Sequence, residues 1–66
     1  MSITVNGKRV DFIKDESVSR LLKRMRFLFP LVVVKVNGQI IPRELFTGTM
    51  LHEGAIIEVI HLTSGG

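Results

Sequence analysis

A chain of 66 residues allows one domain, and its lack of cysteine excludes disulfides, thiolate metal sites and thiol nucleophiles. No apolar stretch approaches the roughly 20 residues of a membrane span, and the net charge of +3 is only a slight excess of Lys and Arg. The hydrophobic fraction of 45% is ample for a globular core. We therefore expect a soluble cytoplasmic protein with one domain over residues 1–62 and a flexible tail over 63–66.

The first two predicted elements are strands joined by a tight turn. Apolar and polar residues alternate over 2–5 and again over 9–12, and Asn6-Gly7 lies between the two segments. Asn-Gly is typical of two-residue hairpin turns, because both turn positions need positive φ and these residues tolerate it. The inward side chains of this hairpin are expected to be Ile3, Val5, Val10 and Phe12.

An amphipathic helix is predicted next. Its apolar stripe consists of Val18, Leu21, Leu22 and Met25. Ser17 is placed to cap its N-terminus, with negative charge just ahead of it. Because the residue before a proline is pushed out of the helical region, Pro30 ends any continuation, and we expect the helix to end near Arg26 or Phe27. The opposite, solvated face carries Arg20, Lys23 and Arg24.

A third strand and a short fourth strand follow, joined by a second Asn-Gly turn at 37–38. Residues 31–36 are rich in β-branched side chains. If Lys35 faces water, Val33 does too, while Val32, Val34 and Val36 face the core. Pro42 ends the fourth strand, and residues 43–46 are expected to form one helical turn in which Leu45 or Phe46 closes the core.

The last strand, 55–62, has apolar residues on both faces. Ala55, Ile57, Val59 and His61 share one face, and Ile56, Glu58, Ile60 and Leu62 share the other. Glu58 is costly to bury unpaired, so the second set should face solvent. We interpret Ile60, Leu62, Glu58 and the neighbouring Val33 as a docking surface for a partner protein. The alternative is that Phe46, Met50 or Leu51 covers this face.

The order of the elements is that of the ubiquitin-like β-grasp fold. This is an α+β fold with a mixed sheet of about five strands and one helix packed on one face of the sheet. In this arrangement the last strand lies in the middle of the sheet, parallel to the first. The tail would then leave from a strand that is held on both sides.

The chain ends with Gly65-Gly66. Two glycines can lie extended in a slot that is too narrow for other residues, which leaves the terminal carbonyl unhindered. The C-terminal carboxylate is therefore the best candidate for a reactive group. It needs activation, for which adenylation by ATP is the usual route, and we expect a partner enzyme to supply it.

The chain resembles the ThiS/MoaD group of small sulfur carriers. The resemblance rests on the element order, the segment Val-Asn-Gly-Gln-Ile-Ile-Pro-Arg-Glu over 36–44 and the terminal Gly65-Gly66, and it covers the whole chain. The combination of the Val-Asn-Gly turn, Pro-Arg-Glu and the diglycine is closer to ThiS than to MoaD.

The resemblance implies a protein substrate and not an enzyme. An E1-like adenylyltransferase of the ThiF/MoeB kind would use ATP to adenylate Gly66, and a persulfide relay from a sulfur donor such as a cysteine desulfurase would convert it to a thiocarboxylate. Gly65 would give the tail access to the partner's site. Thiazole synthase is the implied acceptor in thiamin biosynthesis, and the carrier itself would bind no cofactor.

Several alternatives remain open from the sequence. A MoaD-like subunit of molybdopterin synthase and a ubiquitin-like modifier of lysines would begin with the same adenylation. A β-grasp module that binds nucleic acid through its basic helix face is a different class, which the lack of Tyr and Trp for base stacking disfavours. His52 and His61 have no metal-ligand spacing, so we expect no metal site.

Overall fold

The computed structural model describes residues 1–27 and 31–62. Its elements in chain order are β1 (Ser2–Val5), β2 (Lys8–Asp11), α1 (Val18–Arg24), β3 (Val32–Val36), β4 (Gln39–Ile41), a single 3-10 turn (Arg43–Leu45) and β5 (Ile56–His61).

The described strands form a mixed sheet in the order β2-β1-β5-β3-β4. β5 lies at its centre, parallel to β1 and antiparallel to β3. The other two pairs are the antiparallel hairpins β1-β2 and β3-β4. This is the topology of the β-grasp fold, and the predicted fold class and the central position of the last strand are confirmed.

Both hairpins turn at the predicted Asn-Gly pairs. Asn6 and Gly7 have φ values of 50° and 80°, and Asn37 and Gly38 have values of 51° and 83°. Positive φ at both positions is the signature of a type I′ turn, whose twist matches that of the flanking strands. The two hairpins therefore form from local sequence, and each presents one strand to an edge of β5.

The core lies between α1 and one face of the sheet. Ile57 is fully buried at its centre, Val59 is buried on the same face of β5, and Ala55, just before the strand, is also buried. Phe46, and not the exposed Leu45, closes this core. The remaining buried hydrophobic residues are Ile3, Val5, Val18, Leu21, Leu22, Val34 and Leu51. His61 is exposed although it shares the parity of Ile57, because β5 ends there.

The helix begins where the sequence predicts and ends earlier than expected. The Ser17 side chain accepts a hydrogen bond from the Arg20 N–H, as an N-cap residue does. After Arg24 the chain reverses through Arg26, which has a φ of 60°. The Phe27 N–H donates to the Leu22 carbonyl at 2.8 Å, which closes a Schellman motif. Phe27, just beyond the end of the helix, is partly buried against the core. Pro30, which was expected to end any continuation of the helix, lies outside the described residues.

An ion pair ties the helix to the segment that precedes it. The Glu16 carboxylate, in a residue only 5% exposed, accepts two hydrogen bonds from Arg24, from Nε at 2.8 Å and from Nη2 at 2.9 Å. Nη2 also donates to the Asp11 carbonyl at 3.0 Å, so one guanidinium joins β2, the loop and α1. The hydrogen bond to Glu16 raises the pKa of Arg24 above its ordinary value, against the lowering effect of burial. The guanidinium therefore keeps its charge throughout the neutral range.

Replacing Arg24 by Met should lower the free energy of unfolding by about 2 kcal/mol, because the Glu16 carboxylate would be left buried without its partner. Denaturant titration followed by circular dichroism measures the change. Arg20→Met, on the exposed part of the same helix, is the matched control and should change stability by less than about 0.5 kcal/mol.

The double variant Glu16→Met/Arg24→Met distinguishes the contribution of the ion pair to stability from the contribution of side-chain packing. It should lose less stability than Arg24→Met alone, since no unpaired charge is left in the loop. Equal losses in the single and double variants would contradict this assignment.

Candidate functional site

The face of the sheet opposite α1 carries large apolar side chains in contact with solvent. On β5, Ile56, Glu58 and Ile60 are exposed in alternation with buried Ile57 and Val59. Ile60 is 41% exposed and Leu62, just beyond the strand, is 47% exposed. The predicted parity of the last strand is therefore confirmed.

The neighbouring strand extends this apolar surface. Val33 of β3 pairs directly with Ile60 across the ladder and is half-buried. The Leu62 N–H donates to the Leu31 carbonyl at 3.0 Å, so the pairing continues beyond the ends of both strands. Leu31 is 52% exposed and shares the parity of Val33. We refer to Leu31, Val33, Ile60 and Leu62 as the apolar patch.

Leu31 is the member of the patch that the sequence interpretation missed. Leu31 lies two positions before Val33, so both side chains are expected on the same face of the sheet; this spacing could have identified Leu31 as a member of the patch. The alternative in which other side chains cover the face does not hold. Phe46 and Leu51 belong to the core on the helix side of the sheet, and Met50 forms a bridge with Ser17 at the start of the helix.

Two opposite charges border the patch. Lys35 and Glu58 are direct cross-strand partners on the open face, two residues along each strand from the pair of Val33 and Ile60. Opposite charges at such positions attract each other across the strands. A docking partner would therefore meet an apolar surface with one positive and one negative group along one side, which can define its orientation as well as its affinity.

The patch lies directly before the tail in the chain. Leu62 is the last described residue, and Thr63 follows it. The residues predicted to carry the chemistry, Gly65 and Gly66, lie outside the described part of the chain. Their roles therefore stay predictions, together with the docking roles of Val33, Glu58, Ile60 and Leu62.

The basic helix face differs from the prediction in one respect. Arg20, Lys23 and Arg24 are all exposed as expected, but the Arg24 guanidinium is also paired with Glu16 and directed toward β2. The long Arg side chain reaches the buried carboxylate, whose desolvation would otherwise be costly. This pairing leaves two of the three cations, Arg20 and Lys23, as the better candidates for contact with a nucleic acid.

Residues 1–27 and 31–62 contain no pocket and no cluster of three potential metal ligands. The helix in this part of the chain is also too short to cross a membrane.

Comparisons with known proteins place these features in a family. The model of the ThiS family matches residues 3–66. A crystal structure of a thiamine biosynthesis protein, ThiS from Geobacter metallireducens, superimposes with a TM-score of 0.83 at 33% identity and covers 100% of both chains. A solution NMR structure of a thiamine biosynthesis protein from the same organism gives a TM-score of 0.73 at 32% identity, over 100% of this chain and 88% of that one.

Among curated sequences, this chain is similar to the uncharacterized protein ycf40 of two organisms. It is 33% identical to that of Pyropia yezoensis and 26% identical to that of Porphyra purpurea. In both cases the match covers 100% of this chain and 93% of the relative.

Because one face of β5 is buried and the other is exposed, the same substitution should lower the free energy of unfolding by very different amounts on the two faces. Ile60→Thr should change the free energy of unfolding by less than about 1 kcal/mol, because the side chain is already in contact with water. Ile57→Thr should lower it by about 3 kcal/mol, because it removes core volume and buries a hydroxyl. Both variants keep a β-branched residue in the strand, and thermal unfolding of the two compares them. Similar losses would mean that the open face is covered.

Proposed function

Because this chain belongs to the ThiS family and is a small sulfur carrier of the β-grasp type, we propose that its reactive group is the carboxylate of Gly66. In this proposal an E1-like enzyme adenylates Gly66 and a sulfur relay converts it to a thiocarboxylate. The observation that supports the proposal best is the exposed apolar patch at the end of β5, which only Thr63 and Ser64 separate from the diglycine in the sequence.

The proposed chemistry proceeds in two stages. A carboxylate oxygen of Gly66 attacks the α-phosphorus of ATP and pyrophosphate leaves, which gives an acyl adenylate. A persulfide sulfur of the relay then attacks the acyl carbon and AMP leaves, and a second thiol cleaves the resulting S–S bond to release the thiocarboxylate. ATP and the reacting sulfur are bound by the partners. Gly65 contributes only its lack of a side chain, which allows close approach.

The architecture of the described residues suits a substrate that must be presented to another protein. β5 is paired with β1 along its first half and with β3 as far as His61, so the base of the tail is held in the sheet by β3. The apolar patch offers a contact area beside that base, and Lys35 and Glu58 border it. Docking through the patch would place the tail at the partner's active site without any binding pocket on the carrier.

We propose thiazole synthase as the acceptor of the sulfur. The similarity to proteins described as thiamine biosynthesis proteins supports this choice. Because activation consumes ATP, we place the reaction in the cytoplasm. Incubation of the sulfur-loaded carrier with thiazole synthase, with the large subunit of molybdopterin synthase or with lysine-containing protein targets would distinguish the three acceptors that the chemistry of the tail allows.

Incubation with an E1-like enzyme, ATP and a sulfur donor should replace one carboxylate oxygen of Gly66 by sulfur. Intact-mass spectrometry of the protein detects the exchange, and fragmentation assigns it to the last residue. A chain that shows no adenylate and no sulfur under these conditions would contradict the proposed function.

Deleting Gly66 provides the matched control. The described core and sheet are built from residues that precede Thr63, so the shortened protein should unfold at the same denaturant concentration as the complete chain. It should nevertheless gain no sulfur, because its carboxylate would be one residue too short to reach the site of activation.

Docking through the patch predicts a separate kinetic effect. Ile60→Thr should raise the KM of the activating enzyme for the carrier by about tenfold, a typical effect for truncating a central interface side chain, and leave kcat nearly unchanged. Ile13→Thr is the control, because Ile13 is an isoleucine of similar exposure, 44%, that lies between β2 and α1 and not in the sheet. Equal effects of the two substitutions would exclude the patch as the specific docking surface.

A further inference from the structure

The edge of β5 that faces β1 is covered by that strand over only its first half. The register pairs Thr4 with Ile56 and Val5 with Ile57. The Asn6 N–H then donates to the Ile57 carbonyl at 2.9 Å, and the chain turns away at Gly7. β5 itself continues to His61, so the part nearest the tail extends past the end of β1.

The side chain of Asn6 continues the pairing where the backbone of β1 stops. Its Oδ1 accepts a hydrogen bond from the Val59 N–H at 2.8 Å, and its Nδ2 donates to the Val59 carbonyl at 3.2 Å. In a parallel ladder the N–H and carbonyl of one residue bond to two different residues of the neighbouring strand. The amide of Asn6 therefore replaces two backbone groups that β1 no longer offers and extends its hydrogen bonding along β5 as far as Val59.

The second Asn-Gly turn offers a natural comparison at the other end of β5. Asn37 has nearly the same backbone conformation as Asn6, and its Oδ1 accepts from the Ile56 N–H at 2.9 Å. Ile56 is the first residue of β5, whereas Val59 lies three residues before Leu62. Two side chains of the same kind thus hold one strand, Asn37 at its first residue and Asn6 in its second half.

We infer that Asn6 is a positioning residue for the reaction of Gly66. By holding Val59 it fixes the direction in which the chain leaves the sheet, while the apolar patch holds the domain on its partner. A reactive group that is displaced by about 1 Å can lose much of its rate even when binding is unchanged. This inference rests on the proposed function.

The test compares Asn6→Gly with Asn37→Gly. Glycine adopts positive φ readily, so both turns keep their backbone, and each variant loses only its side-chain hydrogen bonds to β5. In Asn6→Gly, hydrogen exchange of the Val59 amide measured by NMR should accelerate by about tenfold, because its acceptor is lost. In Asn37→Gly, exchange at Val59 should stay within about twofold of the original chain.

The kinetic readout is activation of Gly66 by the E1-like enzyme over a range of carrier concentrations. Asn6→Gly should lower kcat by about three- to tenfold with KM within about twofold, whereas Asn37→Gly should leave both within about twofold. Asn6→Asp, which keeps an oxygen acceptor for the Val59 N–H and tolerates positive φ, should recover part of the lost kcat. All measurements are made at a temperature at which circular dichroism shows every variant to be folded.

Equal losses of kcat in Asn6→Gly and Asn37→Gly would overturn the inference, because they would reflect general stability of the turns. Failure of Asn6→Asp to recover any rate would also overturn it, since the bond to the Val59 N–H would then have no role. If the original chain is not activated at all, the proposed function fails and the kinetic inference fails with it. Hydrogen exchange at Val59 still reports separately whether Asn6 holds this end of β5.

Discussion

The pairing of β5 on both of its edges is the constraint on which the rest of the structure depends. Two hairpins that form locally are joined into one sheet only through this strand. Because β5 is held in the sheet by β1 along its first half and by β3 as far as His61, its side chains point alternately toward the helix and away from it. Burial of Ile57 determines which set faces the helix and thereby exposes Ile60 on the other side. The hydrophobic core and the proposed docking surface are thus two results of a single register.

Much of the fold could be predicted because its signals are local. The Asn-Gly turns, the Ser17 cap and the alternation in β5 each depend on residues only a few positions apart, and the structure agrees with all three. The central position of β5 came from the order of the elements and not from any pattern in the strand. Exposure of Ile60 and Leu62 could be predicted because Glu58 fixes the parity of the strand.

The features that could not be predicted depend on contacts between distant residues. The end of α1 at Arg24 is accompanied by packing of Phe27 against the core. The ion pair of Arg24 forms with Glu16, a residue that is buried in the loop before the helix. Asn6 could be predicted from local sequence as a turn residue. The hydrogen bond that its side-chain amide accepts from the Val59 N–H could not be predicted in this way. Periodicity describes which face a residue lies on. It does not describe which distant backbone groups a side chain will reach.

The parallel pairing of β1 with β5 also has a consequence for biosynthesis. Asn6 and Val59 are separated by 53 positions, and the Thr4 N–H donates to the Ala55 carbonyl. Contacts between such distant residues close a long loop and form late in folding. A growing chain cannot join its two hairpins until β5 has left the ribosome, because they meet only through that strand. A growing chain that still lacks β5 therefore also lacks the apolar patch that we propose as the docking surface.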